Sequence, residues 1–313
     1  MIRFIASRLL SAIPTLLIVV ITIFTLMRMI PGDPASLMLG DLADPGQLEA
    51  MRRSMGLDQP VWLQFLYWLG DVLRGDFGTS ITLREPVLGL ILDRFSVSAG
   101  IVLAAIVLSV LVAVPAGMIA AWRQNSVTDL VVVGVATLLL SVPSFWVGLM
   151  LLLLFGLTLG WLPIVGYVPF SQDIGGAIMA MILPVATIVL VESGSIARMA
   201  RASMIEVSRL EYITHARAKG LSEGAVMWRH AFRNAFAPTW TLIGLVLGSL
   251  LANIAVIETV FTIPGLGRLM IDAIYARDYP VVQGCMLFIA VIYVLVNLLV
   301  DLVYPLLDPR VAA

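Results

Sequence analysis

Six uncharged, strongly apolar runs punctuate the chain, at residues 9–27, 95–122, 130–172, 174–191, 234–257 and 279–300, with lengths of 19, 28, 43, 18, 24 and 22 residues. A helix that crosses a bilayer needs roughly 20 apolar residues, so each run has room for one. The 43-residue run has room for two, but its second half holds Gly156, Gly160, Pro163, Gly166 and Pro169, which break any helix of spanning length. One span is expected there and six in all, at about 9–29, 97–122, 130–155, 174–196, 238–258 and 280–304. Pro115, Pro143 and Pro184 fall inside the second, third and fourth of these. Each is expected to kink its helix and free a carbonyl, as a packing bend or as a hinge.

Two polar stretches separate the spans. In the first, residues 31–94, Asp44-Pro45 opens a helix that Gly56 closes. Asp58-Gln59-Pro60 opens a second that ends near Gly75, and Glu85-Pro86 starts a third that runs into the second span. The middle helix carries Trp62, Phe65, Leu66, Leu69 and Leu73 on its apolar side, and with Tyr67 and Trp68 it suits a helix lying on a membrane surface. Nine acids sit in this segment. It reads equally as a surface for an external partner and as a cap over the ends of the spans.

The second polar stretch, residues 197–238, holds seven basic residues, Arg198, Arg201, Arg209, Arg217, Lys219, Arg229 and Arg233, and both histidines, His215 and His230. It divides at Gly220. Ser222 is a good N-cap, with Glu223 in the first turn where the helix dipole favours an acid. At helical period Leu221, Ala225, Trp228, Phe232 and Ala235 share one stripe, opposite Glu223, Arg229, His230 and Arg233. Upstream, Val207, Leu210, Ile213 and Ala216 make a second stripe. The stretch is therefore a helix, a glycine turn and an amphipathic helix between two spans.

Composition agrees with an all-α polytopic membrane protein: 60% hydrophobic and 12% charged residues, against about 45–50% and 25% for a soluble domain. Arginine and lysine in short loops set the orientation. With the N-terminus inside, the inner side holds Arg3, Arg8, Arg123, the seven residues of the central stretch and Arg310, while the short outer loops hold none and two (Arg268, Arg277). Both termini and the central stretch are expected to be cytoplasmic. The first run is followed by Met27-Arg28-Met29-Ile30-Pro31 with no Ala-x-Ala site, so it reads as a span and not as a cleaved signal.

Little in the chain can do chemistry alone. Lys219, the one lysine, follows Ala218, so no phosphate-binding loop ending Gly-Lys-Ser/Thr is present. Ser193 and Ser195 have no histidine within reach, because both histidines lie in the central stretch. Two histidines fifteen residues apart and one cysteine, Cys285, do not make a metal site or a disulfide. An ion-coupled carrier would bury ionisable groups at mid-membrane. Here Glu192, Glu258 and Asp301 each end an uncharged run, which places them near an interface, and no internal repeat is evident.

The wording of the central stretch goes further. Glu211-Tyr212, Ala216-Arg217-Ala218-Lys219-Gly220-Leu221-Ser222-Glu223, Trp228 and Arg229-His230-Ala231-Phe232-Arg233-Asn234-Ala235 resemble the coupling loop, or EAA motif, of binding-protein-dependent ABC importer permeases. The resemblance is to the dipeptide/oligopeptide branch. The generic Glu-Ala-Ala start is replaced here by Thr214-His215-Ala216. Pro31-Gly32-Asp33-Pro34-Ala35, Gly56-Leu57-Asp58-Gln59-Pro60, Arg74-Gly75-Asp76-Phe77-Gly78-Thr79-Ser80, Pro264-Gly265-Leu266-Gly267-Arg268, Arg277-Asp278-Tyr279-Pro280 and Asp308-Pro309-Arg310 carry the same resemblance from about residue 1 to 310.

The resemblance implies a MetI-like type I importer permease fold. Residues 1–95 would form a first span with a long periplasmic segment, and residues 96–305 a five-span core with a cytoplasmic coupling loop at 198–237. It also implies partners: a second related permease, two cytoplasmic ATPases that bind the ATP and magnesium, a periplasmic or lipid-anchored binding protein, and membrane lipid, with no nucleic acid and no cofactor in this chain. Glu211, Ala216, Arg217, Lys219, Gly220, Ser222, Glu223, Trp228, Arg229, His230, Phe232 and Arg233 would make the ATPase-coupling loop. Gly220 would set its turn and Ala216 would allow close approach. Trp228 and Phe232 would fill the ATPase cleft or pack back on the bundle, and Arg229 and Arg233 would meet acids or phospholipid. Peptide is the cargo the resemblance implies, with nickel complexes, glutathione or sugars as alternatives within the class, and an ion-coupled carrier outside it.

Overall fold

The computed structural model describes residues 2–29, 35–36, 44–54 and 56–307 of the 313. Thus Pro31-Gly32-Asp33-Pro34 and Asp308-Pro309-Arg310 lie outside the described residues. Helices run in the order α1 (Ile2–Met29), α2 (Pro45–Ser54), α3 (Val61–Leu73), α4 (Val87–Trp122), α5 (Val127–Ser141) and α6 (Ser144–Leu151), the last continuing as a π-helical segment, Leu152–Thr158. Next come α7 (Ile174–Ser208), α8 (Glu211–Ala218), α9 (Glu223–Ala225), a second π-helical segment (Val226–Ala231), α10 (Phe232–Asn253), α11 (Ala255–Val260), α12 (Leu266–Tyr275) and α13 (Tyr279–Leu307). Among the described residues there is no strand, only an isolated bridge between Thr79 and Pro86.

Five stretches are long and apolar enough to cross a membrane, in α1, α4, α7, the α9–α10 unit and α13. The sixth run behaves differently from the single helix expected over 130–155. Val142 is extended, Pro143 starts α6, and α5 and α6 meet at 101°. Proline has no N–H to continue the helix and its ring disfavours helical backbone at the residue before it. Pro143 therefore breaks the span instead of kinking it. Pro115 and Pro184 stay inside unbroken α4 and α7.

The core is built on α4 and α7, which run side by side in the same direction. Gly100 faces Met181 near their starts, and Gly117 meets Ala197 and Ala200 near their ends. Small residues at such crossings let the backbones approach, as packing in lipid favours. Ile101, Met118, Ile196 and Met204 fill this seam, and Ile213, Val226, Ala231 and Ile243 from the second half of the chain pack on it. At one end of the bundle lie the end of α4, the central stretch, the start of α10, the end of α13 and the start of α1, joined by Trp240 Nε1 donating to the Val300 carbonyl at 3.2 Å and by Arg8 and Asp301 at 3.4 Å.

The helix starts that sequence reading assigns to the outer segment are found: α2 begins at Pro45, α3 follows Pro60 and α4 follows Pro86, with Gly56 and Gly75 at positive φ of 66° and 85°. The apolar side of α3 is not one stripe, however. Phe65, Trp68, Leu69 and Val72 pack toward α1, with Phe24 against both Phe65 and Trp68, while Trp62, Leu66 and Leu73 point outward and stay exposed.

At the opposite end of the bundle, α11 and α12 form a hairpin held by Glu258, whose side chain is fully buried. One carboxylate oxygen accepts from Ser98 Oγ at 2.5 Å and the other from the Arg268 N–H at 2.8 Å, and Ser98 Oγ accepts the Leu266 N–H. The position at the end of an uncharged run suggests a residue near an interface, whereas the fold closes protein around it. Nearby, Asp278 takes Ser80 Oγ at 2.5 Å and the Thr82 N–H at 3.1 Å, tying the 79–86 turn to the start of α13.

Candidate functional site

The basic stretch folds as a hairpin that is continuous with both neighbouring spans. Arginine is a good helix former, and α7 runs unbroken to Ser208, so Arg198 and Arg201 sit on the span helix and Glu192 lies in its middle, not at its end. Backbone turns at Arg209 and Leu210 then redirect the chain into α8. The stripe expected over Val207, Leu210, Ile213 and Ala216 is divided by this break: Val207, Ile213 and Ala216 are buried and Leu210 is exposed.

The tip is free. Every residue from Arg217 to Gly224 is exposed. Gly220 turns the chain at φ +79°, and a Cβ there would meet nothing within 4 Å. Ser222 caps the next helix, its side chain accepting the Ala225 N–H. Arg217 Nε pairs with Glu223 across the turn at 2.9 Å, and its guanidinium lies 5.1 Å from the ring centre of Trp122, the last residue of α4. The root is closed by Tyr212, whose hydroxyl accepts from Asn234 Nδ2 at 2.8 Å.

The amphipathic stripe beyond the turn differs from the expected one. Leu221 and Trp228 are 41% and 48% exposed, while Val226, Ala231 and Ala235 are the buried positions. The reason is the π-helical segment Val226–Ala231. One extra residue in a turn shifts the phase of every residue after it, so the inward face steps by five residues before returning to four. Trp228 and Phe232 instead begin an aromatic ladder. Trp228 meets Phe232 at 5.7 Å, Phe232 meets Phe236 at 5.2 Å and Phe236 meets Trp240 at 6.2 Å. Trp240 is the residue bonded to α13. The ladder thus runs from the outside of the hairpin into the bundle.

Of the other expected site residues, Ala216 is buried against the core, Glu211, Lys219, Arg229 and Arg233 are exposed, and His230 is half-buried, its carbonyl facing the Tyr212 hydroxyl at 3.5 Å. Two groups that sequence reading passes over belong to the same construction. One is Trp122, under Arg217. The other is Asp129 at the start of α5, 5% exposed, which receives Arg201 Nε at 2.5 Å and Nη2 at 2.8 Å. Such bidentate pairs are the stronger ones. The Arg123–Asp129 turn is thereby fastened to α7 one turn before the hairpin. Arg201→Gln removes that partner and leaves a buried carboxylate. It is expected to cost about 2 kcal/mol, less than the full penalty for a wholly buried pair because Arg201 is partly exposed. A fall in the thermal midpoint of the detergent-solubilised protein, monitored by size exclusion, checks it; an unmoved midpoint would show the pair to be idle.

The described residues hold no cluster of three metal-ligating side chains. What the site offers is mechanical: an exposed charged tip, a buried root and three connections to separate spans.

Comparison with known proteins agrees with such an arrangement. The model of the family described as binding-protein-dependent transport system inner membrane component matches residues 113–313, and that of its N-terminal part matches residues 1–104. The chain is 44% identical over 98% of both lengths to a protein of Brucella suis named as a peptide transport system permease. It is 36% identical over 99% of both to the dipeptide transport system permease DppB of Alkalihalophilus pseudofirmus. It is 38% identical over 99% of both to the glutathione transport system permease GsiC of Escherichia coli. Among solved structures, an amino acid ABC transporter covers 71% of this chain at 18% identity and a TM-score of 0.47. Permeases of this family are multi-pass bacterial inner-membrane subunits, generally non-catalytic, that work with an ATPase and a substrate-binding protein. By its apolar helices and by similarity along nearly its whole length, the chain belongs to the binding-protein-dependent transport system inner membrane components, as the permease of an ABC importer.

Proposed function

We propose that this permease carries peptides and that the hairpin from Glu211 to Asn234 is the seat of a cytoplasmic ATPase. The observation that carries the second part is the exposed Arg217–Gly224 tip on a root continuous with α7 and α10. A subunit without a phosphate-binding loop must receive ATP-driven motion from outside, and this is the one described element that joins two spans through a projecting charged turn. Peptide as cargo rests on the names of the relatives that match end to end. Glutathione is a second reading within the same chemistry, being itself a tripeptide, and the GsiC relative favours it.

In the proposed assembly a second permease completes the pathway, two ATPases sit below, and a periplasmic or lipid-anchored binding protein delivers cargo. Both termini and the hairpin face the cytoplasm. Closure of the ATPases pushes the hairpin. The motion enters α7 and α10 directly, α4 through Arg217 on Trp122, and α13 through the Trp228–Trp240 ladder. That is coupling between two sites by a two-state element, the condition for an allosteric claim.

The decisive experiment is reconstitution with the ATPases and binding protein encoded beside this chain, followed by uptake of a labelled dipeptide with unlabelled glutathione as competitor. ATP-dependent dipeptide uptake that glutathione leaves unchanged is expected. Uptake by this chain alone under an ion gradient would overturn the reading, and blockade by glutathione at lower concentration than by dipeptide would move the cargo to the second one. Arg217→Ala is expected to leave assembly intact and slow coupled hydrolysis severalfold, since it removes both the ion pair and the ring contact at the tip; equal stimulated rates for mutant and parent would show that α4 is not driven this way.

A further inference from the structure

We propose that the groove between α1 and α13 holds the headgroup of a phospholipid that carries both a phosphate and an ammonium group. The two helices pack closely through most of their length, where Val20, Ile23 and Leu287 are buried between them. Toward the start of α1 the facing stripes turn polar and part, leaving a cavity of about 240 Å³ lined by Arg8, Ser11, Thr15, Tyr293, Asn297 and Asp301 among others. Arg8 is the first residue of the α1 apolar span and Asp301 lies four residues before the end of the α13 span. Both therefore sit at the headgroup level of one leaflet, where polar pockets between spanning helices take lipid heads.

The chemistry of the lining selects the head. Arg8 Nη1 and Asp301 Oδ2 are 3.4 Å apart and the two side chains are 45% and 39% exposed, so each keeps capacity for a further partner. A guanidinium offers a fork of donors to a phosphate. The remaining groups are acceptors. Ser11 Oγ donates to the Arg8 carbonyl, Thr15 Oγ1 to the Ser11 carbonyl and Asn297 Nδ2 to the Tyr293 carbonyl, which leaves the hydroxyl oxygens, the amide Oδ1 and the carboxylate of Asp301 to receive hydrogen bonds. One guanidinium within a set of acceptors complements a zwitterion: phosphate on Arg8, ammonium on Asp301 and its neighbours. A purely anionic head would set a second negative charge beside Asp301 with nothing to neutralise it. Exposed Ile13 and Leu17 on α1 and Leu295 and Leu299 on α13 flank the groove with apolar surface for the acyl chains.

The test is native mass spectrometry of the full transporter after delipidation, offered equal amounts of phosphatidylethanolamine and phosphatidylglycerol. Retention of phosphatidylethanolamine about tenfold above phosphatidylglycerol is expected, the factor a charge-assisted hydrogen bond carries. Asp301→Asn should bring the two lipids toward parity. Thr15→Leu, which fills the groove from an exposed position without touching the charge pair, should reduce both. Size-exclusion profiles check that each variant remains folded. Equal retention of the two lipids by the parent protein, a preference that survives Asp301→Asn, or full binding by Thr15→Leu would each overturn the assignment. So would displacement by soluble O-phosphoethanolamine at the lipid's own concentration, which would make the ligand a free phosphate ester. Refusal of both lipids by the delipidated complex would show that a helix of another subunit fills the groove. No arm measures transport, so the assignment stands or falls apart from the choice of cargo.

Discussion

Gly220→Val is expected to leave the protein folded in the membrane and to abolish stimulation of ATP hydrolysis by loaded binding protein. Nothing lies within 4 Å of the position a side chain would take, so the substitution does not disturb packing. Its effect is on the backbone. At φ +79° an L-residue costs roughly 1–2 kcal/mol, and a β-branched one sits at the high end. The chain relieves that strain by leaving the left-handed region, and the tip then points elsewhere. Because α8 and the Ser222-capped helix are rooted by Ile213, Ala216 and Val226, a redirected tip misses a partner fitted to the original angle. Gly220→Asn separates the causes, since asparagine tolerates the left-handed region; it is expected to retain most of the stimulation. Hydrolysis by the reconstituted transporter, with and without loaded binding protein, reads both variants. Undiminished stimulation in Gly220→Val would remove the lever from the mechanism.

Gly117→Leu acts at the other extreme, on the bundle itself. A Cβ at Gly117 would overlap the Ala197 carbonyl oxygen and stand 3.0 Å from Ala200 Cβ. The obstacle is backbone of a 35-residue helix, which cannot step aside as a side chain end can. Overpacking of this kind typically costs about 1–3 kcal/mol and more where backbone must move. Here α4 and α7 would have to separate along the seam that holds Met118 and Ile196. Loss of most of the monodisperse protein in detergent is expected, with Gly117→Ala partly impaired. A normal size-exclusion profile for Gly117→Leu would mean that the crossing is looser than this geometry.

How far these features were legible from sequence follows the range of the interactions behind them. The spans, the starts of α2, α3 and α4, the Ser222 cap and the Gly220 turn depend on residues within a few positions of one another, and all were readable. The hairpin's stripe was misplaced because the α-helical period was carried through Val226–Ala231, where an extra residue per turn changes the phase. The break at Pro143 was read as a kink because proline permits either, and which one forms depends on what α5 and α6 pack against. Gly194, crowded by the Ala136 carbonyl and Leu140, shows α5 held against α7, so α6 must leave in another direction.

Hydrophobic run length alone determined that this is a polytopic membrane protein with five straight spans and one more apolar run, because a bilayer sets the length of any element that crosses it. The order of short motifs along the chain placed the family. Only the tertiary structure decided which distant groups meet: Asp129 with Arg201 across 72 positions, Ser98 with Glu258 across 160 and Ser80 with Asp278 across 198. A charge or hydroxyl near the end of an apolar run looks the same to its neighbours whether it faces headgroups, water or a partner carried in from another helix. The packing of the bundle makes that choice.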